Sequence, residues 1–166
     1  KTKVKKNTTI KLTVGIKDNS YKVEKIPVLA GMRTNQESGK QLEGLYIYLQ
    51  ENELTEKECI LYGNIPGIAY YMQMPPAMNC WSDLRSYVPE VMQEDLREVE
   101  MQIGTGGEKP VVILEKNYME YLETGETEGI LLDDPTTLEK FAYIATFMEQ
   151  YGYEKSYAND KYVVYQ

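Results

Sequence analysis

Histidine is absent from all 166 residues. Without it, this chain alone assembles no Ser-His-Asp or Cys-His catalytic arrangement and no histidine-ligated metal. Cysteine is nearly absent too. Cys59 and Cys80 form no C-x-x-C pair, which leaves a zinc knuckle short of ligands, and no metal or cofactor is expected. Cys59 sits in the apolar run Cys59-Ile60-Leu61-Tyr62 and reads as a buried free thiol; a Cys59–Cys80 disulfide is the alternative in an oxidising compartment. No run of about 18 apolar residues occurs, so no stretch of the sequence reads as a bilayer span.

The opening Lys1-Thr2-Lys3-Val4-Lys5-Lys6 starts on lysine and lacks the apolar core of a signal peptide. A piece of a longer chain is expected: residues 1–7 a basic stem or cut edge, residues 8–166 a single α/β domain. Apolar residues make up 42% of the chain, enough for a real core rather than a disordered tail. The net charge of −8 is unevenly spread. Residues 1–40 carry ten basic and three acidic side chains; the remainder carries 8 basic and 23 acidic. A basic arm attracts phosphate, but so acidic a body repels a polyanion, and no aromatic-interleaved basic surface follows. Nucleic acid is not an expected partner. The lysines read better as a solvated strand face or a stem beside a membrane.

Period-two alternation in Thr8–Val14 and Tyr21–Ile26, separated by Asp18-Asn19-Ser20, predicts an opening hairpin. Thr34-Asn35-Gln36-Glu37 has the form of a capping box with Thr34 as N-cap, leading into a helix whose stripe is Leu42, Leu45 and Leu49 beside Tyr46. Gly39 and Gly44 weaken that helix by about 1 kcal/mol each relative to alanine. Glu58–Tyr62 and Pro110–Leu114 are near-continuous apolar runs, as in strands covered on both faces. Pro66 suits the first turn of a helix through Gln73. Val88, Met92, Leu96, Val99 and Ile103 mark another helix, and Leu138, Phe141, Ala145 and Met148 a long one after Asp134-Pro135 that ends at Gly152. Tyr153–Tyr157 and Tyr162–Tyr165 around Asn159-Asp160 make a closing hairpin. The expected fold is an α/β layered sandwich: a mixed sheet with parallel central strands and antiparallel hairpins at both ends.

The recognisable motifs fail on context. Gly104-Thr105-Gly106-Gly107-Glu108-Lys109 is followed by Pro110 and runs from helix into strand, so it is a turn and not a phosphate loop. Gly31 to Lys40 fails on spacing. Asp83, Glu90, Glu94, Asp95 and Glu98 raise the thought of a two-carboxylate glycosidase. Glu90, Glu94 and Glu98, however, share the helix face opposite the apolar stripe, as a solvated face does. Asp133-Asp134 reads as a helix start, not a metal site. Fifteen tyrosines stand against two phenylalanines and one tryptophan, so tyrosine does much of the aromatic packing.

In open α/β sheets, ligands bind beyond the carboxyl ends of parallel strands. Gly31–Thr34, Gly63–Gly67 and Glu115–Asn117 are the three such ends, with Asn79–Asp83 as a loop that folds over them. Arg33, Asn64, Tyr70, Asn79, Trp81 and Asp83 would then line a cleft that hydrogen-bonds and stacks but holds no evident nucleophile. Such a cleft suits a neutral sugar better than a nucleotide. The competing reading makes Asn64 a helix cap and Trp81 a core residue.

The runs Leu29-Ala30-Gly31-Met32-Arg33-Thr34 and Ile60-Leu61-Tyr62-Gly63-Asn64-Ile65-Pro66-Gly67-Ile68-Ala69-Tyr70-Tyr71, followed by Met74-Pro75-Pro76 and Trp81, carry a resemblance. They resemble the soluble C-terminal domain of bacterial multi-pass membrane proteins of glycosyltransferase-like type, which act on polyprenol-linked sugars. It covers about residues 20–115 plus the closing helix and hairpin. The resemblance implies a domain on the extracytoplasmic face of the cell membrane, partnered by the membrane portion of its own parent chain, where the chemistry is expected to lie. It carries over no catalytic residue. The expected role is a non-catalytic accessory or recognition domain for a sugar or glycolipid headgroup. The alternatives are a stand-alone carboxylate-dependent sugar-active enzyme and a structural oligomerisation module.

Overall fold

A computed structural model describes residues 18–79 and 86–166. The strand expected at Thr8–Val14 lies outside them. Eleven regular elements follow in order within the described residues: β1 (Tyr21–Lys22), β2 (Arg33–Thr34), α1 (Gln36–Glu51), β3 (Cys59–Tyr62), α2 (Ile68–Met72), α3 (Pro89–Gly104), β4 (Val111–Glu115), α4 (Lys116–Thr124), α5 (Thr137–Gln150), β5 (Lys155–Ala158) and β6 (Tyr162–Tyr165).

Four strands form the main sheet in the order β3-β4-β6-β5. β3 and β4 run parallel, Cys59 opposite Val111 through Tyr62 opposite Leu114, while β6 inserts antiparallel between β4 and β5. The fold is thus α/β with a mixed sheet, as the alternation of elements implies. Successive side chains of a strand point to opposite faces, and here both faces are apolar. Cys59, Leu61, Val111, Ile113, Tyr162 and Val164 pack against Leu42, Leu45 and Leu49 of α1 and Ile68, Ala69 and Met72 of α2. Ile60, Tyr62, Val112, Leu114, Val163 and Tyr165 pack against α3, α4 and α5 through residues such as Met92, Leu96, Tyr118, Phe141 and Phe147. Each such fully buried side chain contributes about 1.5–3 kcal/mol, and β3, β4 and β6, apolar toward both faces, read as continuous apolar runs. The free side of β3 is partly covered: the Cys59 amide donates to Pro75 O at 2.9 Å and Ala77 N to Cys59 O at 2.9 Å.

The amino-terminal region differs from expectation. Only Tyr21–Lys22 of the alternating run is strand, and it pairs antiparallel with Arg33–Thr34 in a two-stranded ribbon outside the main sheet. Two local bonds, Val23 N to Met32 O and Gly31 N to Val23 O, close the ribbon around a 3-10 turn at Pro27–Leu29. Gly31–Thr34 is therefore not the carboxyl end of a parallel strand. Because Thr34 belongs to β2, the cap of α1 falls one residue later: Asn35 Oδ1 accepts the Ser38 amide at 2.8 Å.

The ribbon is tied to α1 by a buried carboxylate. Glu43 accepts the Tyr21 hydroxyl at 2.6 Å and the amides of Glu24 and Lys25 at 2.7 and 2.9 Å. Desolvation pushes its carboxyl up, but those hydrogen bonds and the Lys25 charge outweigh it and hold the group below the ordinary range. Gly39 serves this joint. A Cβ there would overlap the Tyr21 ring, so the helix gives up propensity for a close approach.

α4 was not expected at all. β4 runs straight into it, with no side-chain cap at Glu115, and Gly125 in the left-handed region ends it. Its inward residues are Tyr118 and Met119.

Candidate site at the strand carboxyl ends

The segment after β3 enters α2, which packs on one face of the sheet; β4 enters α4, which packs on the other. Chains diverging from adjacent parallel strands leave a crevice at their carboxyl ends, the usual ligand position in such sheets. Here the two ends are joined. The Asn64 amide donates to Glu115 Oε2 at 2.8 Å. Gly63 has φ +124, and a Cβ there would collide with the Glu115 side chain, so only glycine lets the turn close over that carboxylate.

Beside this junction lies a cleft of about 190 Å³ between β4–α4, the amino-terminal turn of α1 and the β5–β6 turn. Glu37, Gln41, Glu115, Asn117, Asp160 and Lys161 line it, with Ser38 and Lys116 at its sides. Its walls are cross-linked. Gln41 Nε2 donates to Asp160 Oδ2 at 3.0 Å while Asp160 N donates to Gln41 Oε1 at 3.1 Å, and Asn159 Nδ2 donates to Gln41 O at 2.9 Å. Asn117 Nδ2 donates to Gly129 O at 2.7 Å, and Lys116 pairs with Glu120 at 3.4 Å. Burial pushes the Tyr162 phenol up to about 12, and the nearby Glu115 and Tyr71 add to it.

The six residues singled out in the sequence do not form one site. Asn64 is exposed at the junction just described. Tyr70 is 61% exposed and faces away, into an open groove of about 580 Å³ lined by Ala69, Gln73, Met74, Pro75 and Pro76; its neighbour Tyr71 packs half-buried against the apolar core on the α1 and α2 side of the sheet. Arg33 is exposed on the ribbon and reaches the Ser20 carbonyl at 3.5 Å. Asn79 belongs with α3 on the opposite layer, donating to Asp95 Oδ1 and Glu98 Oε2 at 3.3 Å each. Trp81 and Asp83 lie outside the described residues. Glu115 and Asn117 fall in the strand end already marked in the sequence. Glu37, Gln41, Asp160 and Lys161 were missed: Glu37 read as part of a capping box and Asp160 as a hairpin turn, and nothing singled out Gln41 or Lys161. No local pattern says that these meet.

A second polar group sits on the α5 face. Tyr62 donates to Thr137 O at 2.6 Å, and the fully buried Lys140 donates to Asp134 Oδ2 and Tyr87 O at 2.9 Å each. The Lys140 ammonium, with the hydroxyl and amide of Thr136, holds the Asp134 carboxyl well below the ordinary range. Asp134 thus serves the first turn of α5, in keeping with the helix start seen in the sequence. Among the described residues, no three Cys, Asp or Glu side chains converge as a metal site, and no helix is long and apolar enough to cross a membrane. Gly104–Lys109 forms a turn out of α3, closed by Gly107 N to Gln102 O at 2.8 Å.

Comparison with protein families, with curated proteins and with solved structures returned no match to this chain.

Proposed function

We propose that this chain is a non-catalytic recognition domain that serves the membrane portion of its own parent protein, a glycosyltransferase-like envelope protein, on the extracytoplasmic face of the membrane. The ligand is a sugar or a glycolipid headgroup, bound at the strand carboxyl ends. The observation that carries the reading is the cleft beside the Asn64–Glu115 junction: a pre-formed polar concavity with donors and acceptors of both kinds. The resemblance of Leu29–Thr34 and Ile60–Tyr71 supplies the membrane context. The missing histidine and, among the described residues, the lack of a placed acid–base pair argue against catalysis.

The purified chain is offered glycosides and free glycans, with binding and turnover read separately. Binding without turnover is expected. Glycoside hydrolysis that disappears in Asp83→Asn would replace this reading with the carboxylate-dependent enzyme. The parent open reading frame is the second check, since a reading frame without apolar segments of about 20 residues removes the membrane partner.

A further inference from the structure

The strand-end cleft has a definite size and a definite balance of polar groups. At about 190 Å³ it falls below the ~300–1,000 Å³ of pockets that hold drug-sized ligands. It has the room of about six waters. That is room for about one pyranose ring. Its charge is mixed: Glu37, Glu115 and Asp160 against Lys116 and Lys161. Three carboxylates around so small a space repel a phosphate ester, and one of the two ammoniums is already engaged by Glu120.

The hydrogen-bonding capacity left over is equally telling. Both ends of the Gln41 amide are spent on Asp160, the Asn117 amide nitrogen on Gly129, and one Glu115 oxygen on the Asn64 amide. Those bonds hold the walls in place before any ligand arrives, which lowers the cost of binding. Among the described residues, the Lys161 ammonium makes no ion pair and stands 5.7 Å from the centre of the Tyr162 ring, and the Ser38 hydroxyl, Asn117 Oδ1 and the second Glu115 oxygen accept nothing. One ammonium, one hydroxyl that both donates and accepts, and two acceptor oxygens are therefore left in the lining of the cleft. Hydroxyl groups, which donate and accept at once, match such a set; a purely accepting anion does not.

We infer that this cleft takes a single neutral sugar ring, with Lys161, Glu115 and Asn117 as its hydrogen-bonding partners. This rests on the recognition reading above and names the ligand class of that site. It also separates the site from the Tyr70 groove, which has no share in binding the ring.

Amide shifts of the 15N-labelled chain, titrated with glucose, N-acetylglucosamine, glucose 1-phosphate and maltotriose, test it. The two neutral monosaccharides are expected to move the amides of Glu37–Gln41, Glu115–Asn117 and Asp160–Lys161. Glucose 1-phosphate binds at least about tenfold more weakly, and Lys161→Ala weakens the monosaccharides by about tenfold with the rest of the spectrum unchanged. Shifts at Tyr70–Pro76 in place of the cleft, or tighter binding of the phosphate or of maltotriose, would overturn the inference while leaving sugar recognition standing. Silence with every glycan overturns both.

Discussion

Replacing Glu43 by glutamine removes one charge from the joint between α1 and the amino-terminal ribbon and keeps the shape of the side chain. In the native protein its carboxylate accepts three hydrogen bonds, from Tyr21 Oη and from the amides of Glu24 and Lys25. Hydrogen bonds to a charged acceptor contribute about 1.5–3 kcal/mol each, neutral ones about 1. Glu43→Gln therefore costs about 2–3 kcal/mol, and Glu43→Ala, which removes all three bonds and leaves the part-buried amides unanswered, about 3–5 kcal/mol. For a chain of this size, about 2–3 kcal/mol lowers Tm by roughly 5–10 °C. The pH dependence carries the sharper test. The folded carboxyl titrates below its ordinary value, so its stabilisation is complete above the unfolded pKa, about 4.3, and is lost as pH falls through the folded one. Urea unfolding followed by circular dichroism from about pH 7 to about pH 3 should show a constant gap between wild type and Glu43→Gln down to about pH 5, then convergence. A gap that stays constant to the acid limit, or none at neutral pH, would refute the reasoning.

Gly39→Ala should destabilise by more than about 1 kcal/mol in urea, although alanine is the better helix former by about that amount, because its Cβ meets the Tyr21 ring. Tyr62→Phe deletes the hydroxyl that serves the Thr137 carbonyl and should cost about 1–2 kcal/mol; a neutral result in the same assay would count against that bond. Cys59, whose thiol burial pushes up to about 12, should resist thiol reagents at mildly alkaline pH in the native protein and react at once in denaturant. Fast native labelling at Cys59, located by mass spectrometry, would contradict its burial. Gly63→Ala should break the Asn64–Glu115 junction and unsettle the cleft, seen as lost amide shifts at Glu115–Asn117 on sugar titration while Tyr70–Pro76 is unaffected.

Local periodicity determined much of this protein. The apolar runs at Cys59–Tyr62, Val111–Leu114 and Tyr162–Tyr165 are strands covered on both faces, because a strand buried on two sides has no polar residue to alternate with. The stripes of α1, α3 and α5 follow from 3.6-residue spacing, and the closing turn follows from Asn159, whose side chain accepts the amides of Lys161 and Tyr162. Tertiary structure decided the rest. Strand order is one case: β6 pairs with β4 across more than forty residues, and no short window encodes that partner. The ribbon is another, since Tyr21–Lys22 took Arg33–Thr34 and moved the α1 cap to Asn35. α4 hid because it follows β4 without a loop or a capping side chain, the two signals by which a helix start is read. The candidate site shows the division most clearly. Glu115–Asn117 was legible as a strand end, but Gln41 and Asp160 lie over a hundred residues apart and bond only because α1 and the β5–β6 turn meet at the same edge of the sheet. Likewise, of two adjacent tyrosines, helix geometry turned Tyr71 toward the core and Tyr70 toward the outer groove. A helix separates neighbours by about 100° of rotation, and only the packing of α2 on the sheet sets which of them faces in.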